Sequence, residues 1–84
     1  MACIVNCPPV NNSELLGYLA ETSAADFALG YFCRADGTWQ YSLRSRGKDA
    51  YDVSAVAKHF GGGGHHSAAG FESLLPPEDL LFRF

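Results

Sequence analysis

Positive charge is scarce in this chain. Lys and Arg total six among 84 residues, against nine Asp and Glu, for a net charge of −3. That excludes a broadly basic domain that attracts polyanions over its whole surface. Long apolar runs are missing as well. None approaches the roughly 20 residues that a membrane-spanning helix needs. No basic stretch followed by a long apolar one opens the chain, so no signal peptide is expected. The expectation is a cytoplasmic protein with no membrane partner. Cysteine is sparse and odd in number, with only Cys3, Cys7 and Cys33. An odd set fits reduced thiols better than a disulfide framework. Cys3 and Cys7 can share one face of a strand, but a zinc site needs a fourth ligand and usually a tighter spacing. The three cysteines therefore read as small buried hydrophobes in a sheet.

What is present suits a folded domain. Hydrophobic residues make up 48% and charged residues 18% of the chain, well away from a disordered composition. A length of 84 residues implies one domain, residues 1–84, with a modest core.

Cys3, Ile4 and Val5 lead to Cys7 as a short buried strand that Pro8 and Pro9 end. Asn11 is placed to cap a helix, with Glu14 three residues on as in a capping box. That helix runs to about Glu21, with Leu15, Leu16, Leu19 and Ala20 as its apolar stripe. Phe27 to Cys33 reads as a strand, and Asp36-Gly37 is a hairpin signal. Thr38 to Ser45 alternates, with Trp39, Tyr41 and Leu43 on one face and Gln40, Ser42 and Arg44 on the other. Asp52 caps a second helix, whose buried stripe is Val53, Val56, Ala57 and Phe60. Gly61 sits where a left-handed C-terminal residue is wanted. A glycine loop then leads into a strand around Gly70 to Ser73. Pro76 and Pro77 precede a last apolar segment, Leu80 to Phe84. The pattern β-α-β-β-α-β, with room for a final strand, predicts an α/β fold: a mixed β-sheet with helices packed on it, in a single small domain.

Residues 61–70 read GGGGHHSAAG. Four consecutive glycines cost more backbone entropy than any other quartet would. They offer exposed N–H groups, positive φ and room for a ligand, as in loops that cradle phosphates. A linker would stay polar and featureless, whereas this run lies between an amphipathic helix signal and the apolar run AAGF. Charge points the same way. From Arg44 to His66 the chain holds four basic and two acidic residues and all three histidines, His59, His65 and His66. The scarce positive charge is thus gathered beside the glycines.

SLRS at Ser42 to Ser45, followed by DVSAVAKHFGGGGHHSAAGF at Asp52 to Phe71, resembles the DHH-associated C-terminal domain of DHH-family phosphoesterases. That family includes RecJ-like nucleases, oligoribonuclease-type and phosphoadenosine-phosphate phosphatases, and cyclic-dinucleotide phosphodiesterases. The close match covers roughly residues 42–71; the strand, helix and hairpin before it fit more loosely. The resemblance implies that Gly61, Gly62, Gly63, Gly64 and His65 form the family's glycine–histidine element. It also implies that Arg44, between Ser42 and Ser45, is the arginine of its serine-flanked strand. In the family these groups hold a nucleotide phosphate. An arginine offers a bidentate fork to phosphate, and a histidine a further donor. His66 falls at a variable position of the motif, and His59 near a helix end, where it complements the dipole.

The family's catalytic D-H-H motif is absent from this chain. Asp26, Asp36, Asp49, Asp52 and Asp79 are scattered mostly over turns and caps, whereas a two-metal phosphoesterase gathers ligands around ions about 4 Å apart. The expectation is one half of an enzyme: a domain inactive alone, whose ligands are nucleotide phosphates or short single-stranded RNA or DNA. The divalent metal, Mn or Mg, would belong to a DHH catalytic domain of the same parent protein. The alternative is a stand-alone nucleic-acid-binding module related to the appended domain of alanyl-tRNA synthetases, whose glycine motif typically lacks the histidine found at His65. A P-loop is excluded because no Lys-Ser/Thr follows the glycines. A dinucleotide-binding unit is excluded because the glycines follow a helix instead of opening one.

Overall fold

The computed structural model describes residues 2–6, 12–22, 25–46 and 51–80. They form β1 (Ala2–Asn6), α1 (Asn12–Thr22), β2 (Phe27–Cys33), β3 (Trp39–Arg44), α2 (Val53–His59), β4 (Gly63–His65), β5 (Ala68–Ser73) and α3 (Pro77–Leu80). One mixed five-stranded sheet runs in the order β1-β2-β3-β5-β4. β1 and β2 are parallel and joined through α1, as a crossover between parallel strands requires. The remaining pairs are antiparallel. The fold is thus the α/β class expected, with one strand more than the sequence pattern suggested.

Local chemistry explains the elements. Gly37 takes a φ of 89° at the β2–β3 turn, where the Asp36 carboxylate accepts from Thr38 N–H at 2.9 Å. Asp52 caps α2 by accepting from Ser54 N–H at 3.0 Å. Alternation along β3 holds: Tyr41 and Leu43 are buried, while Gln40, Ser42 and Arg44 are half-buried. Val53 and Ala57 turn the buried side of α2 onto Phe27, Leu29, Tyr41, Leu43 and Phe71, and Leu80 of α3 joins the same cluster. Phe71 stacks between Tyr41 and Phe60, with ring centroids 4.8 Å away on each side. On the other face a smaller cluster joins Leu16 and Ala20 of α1 to Ala28 of β2.

Several expectations change. Leu15 is exposed and not part of the buried stripe; Leu16 and Ala20, with the half-buried Leu19 beside them, close over Ala28, the small residue that admits the helix. Cys33 is exposed, at the end of β2 beside the turn. The proposed cap Asn11, the strand-breaking Pro8 and Pro9, Cys7, and residues 81–84 of the last apolar segment lie outside the described residues. Leu80 ends a helical turn.

Tyr41 ties β3 to the segment after β5. Its hydroxyl donates to the Leu75 carbonyl at 2.6 Å. Burial, aided by the nearby Glu78 carboxylate, pushes its phenol up to about 12 from 10.0. Folding therefore favours the neutral phenol. That contribution is complete below pH 10 and is lost as pH rises through about 12. Tyr41→Phe should lower stability by about 1 kcal/mol at neutral pH, a fall in Tm of roughly 4–8 °C. Melts repeated from pH 9 upward should show the unmodified protein losing its advantage over the variant; a constant gap would contradict the assignment.

Candidate functional site

The register of β3, β5 and β4 assembles the motif. Arg44 pairs with Ala68, and Ala68 with His65. One turn of the pleat away, Ser42 pairs with Gly70, and Gly70 with Gly63. Next along the same face, Gln40 pairs with Glu72. Directly opposed residues of an antiparallel pair share a face, so these three rows lie together on the side opposite Tyr41 and Leu43. Among the described residues, α1 lies over β2 and reaches β3 on this face, and no helix covers it over β5 and β4. An open cleft of about 520 Å³ results, lined by Gln40, Ser42, Gly61, Gly62, Gly70 and Glu72, with Tyr41 and Phe71 behind them.

Arg44 and His65 are held apart by a small residue. Strands lie about 4.8 Å apart, so the Arg44 and His65 backbones are about 10 Å apart across the sheet. Ala68 between them adds only a methyl group, which leaves room for an anion over it. No ion pair or side-chain hydrogen bond links Arg44 or His65 to another described residue. His65 is exposed, on the edge strand.

The glycines divide into roles that differ from a phosphate nest. Gly61, at φ 88°, and Gly62 close the end of α2: Gly61 N–H donates to Lys58 O at 3.1 Å and Gly62 N–H to Ala57 O at 2.8 Å. This is the Schellman arrangement, and it consumes two of the four N–H groups expected to face a ligand. A Cβ on Gly62 would lie 2.2 Å from Gly70 O and 2.5 Å from Phe71 Cβ. Gly64 adopts φ 144°, and a Cβ there would lie 2.5 Å from Ala69 Cα. Gly63 differs from all three. Its φ is not positive, and a Cβ would meet nothing within 4 Å. The fold does not need glycine at that position.

The structure thus brings Ser42, Gly61 and Gly62 into the cleft, and places Arg44, Gly63 and His65 on adjoining rows of the open face. Ser45 goes elsewhere. It is buried at 8% exposure, its N–H donates to Ser67 O at 3.0 Å, and its hydroxyl has no hydrogen-bond partner among the described residues. Alternation from Leu43 turns it toward the core side, away from the cleft. His66 ties the β4–β5 turn to α2: its carbonyl accepts from Val53 N–H at 2.9 Å, and its Nδ1 lies 3.7 Å from the Asp52 carboxylate. That carboxylate is held below its usual range first by the Ser54 hydrogen bond and also by His66. His59, in the last turn of α2, is exposed and sits edge-on to Phe60. Sequence reading missed Gln40, Gly70 and Glu72. The alternation of β3 flags Gln40, but the pairing that sets Glu72 beside it is not a local signal.

No three His, Cys, Asp or Glu side chains among the described residues converge as a metal site. Among the described residues the donors do not fit the paired-metal centre that a phosphoesterase would use.

Comparison with known proteins shows the fold and little more. No family profile matches the chain. A stretch of 30 residues, 36% of the chain, is 63% identical to an uncharacterized protein of Acanthamoeba polyphaga mimivirus; the chain spans 7% of that protein's length. The fold is similar to that of an uncharacterized protein from Helicobacter pylori G27, with a TM-score of 0.66 and 23% identity, over 98% of this chain and 24% of the other.

The division of the glycines makes a stability prediction. Gly62→Ala forces a methyl into the β5 backbone and should cost roughly 1–3 kcal/mol. Gly63→Ala should leave stability unchanged or raise it by a few tenths of a kcal/mol, through the restricted unfolded chain. Chemical denaturation of both variants checks this; equal losses would show that the quartet acts as one flexible loop.

Proposed function

We propose that this chain is the substrate-binding domain of a larger DHH-family phosphoesterase, and that it holds nucleotide phosphates or short single-stranded nucleic acid on its open sheet face. A cytoplasmic setting belongs to the same reading. One observation carries it: the pairing of Arg44 and His65 across Ala68, beside the Ser42–Gly70–Gly63 row. Each part has a chemical use. A guanidinium grips a phosphate through two parallel N–H donors, and the imidazole supplies a second direction of approach. The glycine row lets a ligand lie close to the sheet. The rest of the chain is acidic, so the positive charge is local, and binding should fall only gently with salt.

Hydrolysis is not assigned to these residues. In this reading the Mn or Mg ions and their carboxylate and histidine ligands sit in a DHH catalytic domain of the parent protein, which meets the open face. The share of both similar proteins' lengths that this chain spans, 7% and 24%, supports a part in something larger.

Titration with a 5′-phosphorylated oligoribonucleotide at low salt tests the reading. Arg44→Ala and His65→Ala should each weaken binding by roughly 1.5 kcal/mol, the loss of one charge-assisted contact, with little change in Tm. Gly63→Ala should weaken binding while keeping the fold, since its methyl would enter the open face. His66→Ala should reduce stability and spare affinity. Unchanged affinity in the Arg44 and His65 variants would remove the basis of the reading.

A further inference from the structure

The two ends of the open face carry opposite charge. Arg44 and His65 mark one end. Four residues along β3, about 13 Å at strand spacing, Gln40 and Glu72 mark the other. Glu72 is bound by Arg34, whose Nη1 donates to its carboxylate at 2.7 Å. Arg34 also lies 3.9 Å from the Asp36 carboxylate. One guanidinium therefore serves two carboxylates, and among the described residues this end keeps one net negative charge. Glu72, bound by Arg34, and Gln40, its partner across the β3–β5 pair, both line the cleft. The Glu72 carboxylate and the Gln40 amide oxygen can accept from hydroxyl or amino donors, and a second phosphate would meet repulsion from the carboxylate.

Resting on the binding role proposed above, we infer that this face takes a ligand with one phosphate end and one neutral, hydroxyl-bearing end, and discriminates against a ligand phosphorylated at both ends. Glu72 is the specificity-determining residue, and Arg34 sets both its position and how much of its charge is felt. The polarity also orients the ligand. Its phosphate lies over Ala68, and its hydroxyl end reaches Gln40 and Glu72.

The test compares two probes at low salt, where surface charges are least screened. One is a 5′-phosphorylated dinucleotide with a free 3′-hydroxyl. The other is the same dinucleotide carrying a 3′-phosphate. The unmodified chain should prefer the first. Glu72→Gln keeps an oxygen acceptor for Arg34 and removes the charge, so the preference should shrink about threefold. Arg34→Gln removes the compensating cation, so the preference should grow about twofold to threefold. Both magnitudes suit half-exposed charges, and both side chains lie at the surface, at 36% and 55% exposure, where substitution costs little stability. Opposite movements in the two variants support the assignment. A preference that neither variant moves, with binding still dependent on Arg44, overturns this inference and leaves the binding role standing. Absence of Arg44-dependent binding to either probe overturns both.

Discussion

Gly62 lies against β5 so closely that a Cβ would sit 2.2 Å from the Gly70 carbonyl oxygen. The rest of the site follows from that contact. It fixes where α2 ends, because the same residue closes the helix through Ala57 O. It sets the register in which Gly63, Gly64 and His65 run beside Gly70, Ala69 and Ala68. His65 thereby reaches the row of Arg44, which lies 21 residues earlier in the chain. A side chain at position 62 would push the edge strand away and separate Arg44 from His65.

The two faces of the sheet divide the work. One is filled by Tyr41, Leu43 and Phe71 under α2, and the Tyr41 hydroxyl secures the segment after β5. Because that face carries the stability, the opposite face over β5 and β4 is free to stay small and polar. Most of its charge lies at its ends, with a cation on one side and a carboxylate held by Arg34 on the other. A rigid sheet bearing a short polar trough is a suitable platform for a phosphate-bearing chain, since the side chains need little reordering on binding.

Much of this was legible in the sequence. The alternation of Trp39 to Arg44 named the buried and the open faces. Asp52 and Gly61 marked the ends of α2 through capping chemistry that depends on single residues. The glycine run was harder. Read locally, the glycines after Gly61 look like a loop with free N–H groups, because nothing in the run says that Gly62 completes the helix cap and that Gly63 and Gly64 pair with β5. Ser45 was misplaced for a related reason: its proximity to Arg44 in sequence hides the fact that alternation turns it inward. Glu72 was invisible, because its place beside Gln40 comes from pairing between strands 32 residues apart. Leu15 shows the limit of periodicity, since α1 rests on the sheet through Leu16, Leu19 and Ala20 and leaves Leu15 exposed.

In the proposed reading, ligand meets the chain on the face bearing Arg44, Ser42, Gly70 and Gly63. Amide chemical-shift mapping during titration with a 5′-phosphorylated dinucleotide tests it directly. The largest shifts should fall on Ser42, Arg44, Gly63, His65 and Gly70, with Leu16 to Ala20 of α1 and Val53 to Ala57 of α2 little changed. Shifts concentrated on either helix, with the β3–β5–β4 rows silent, would contradict it.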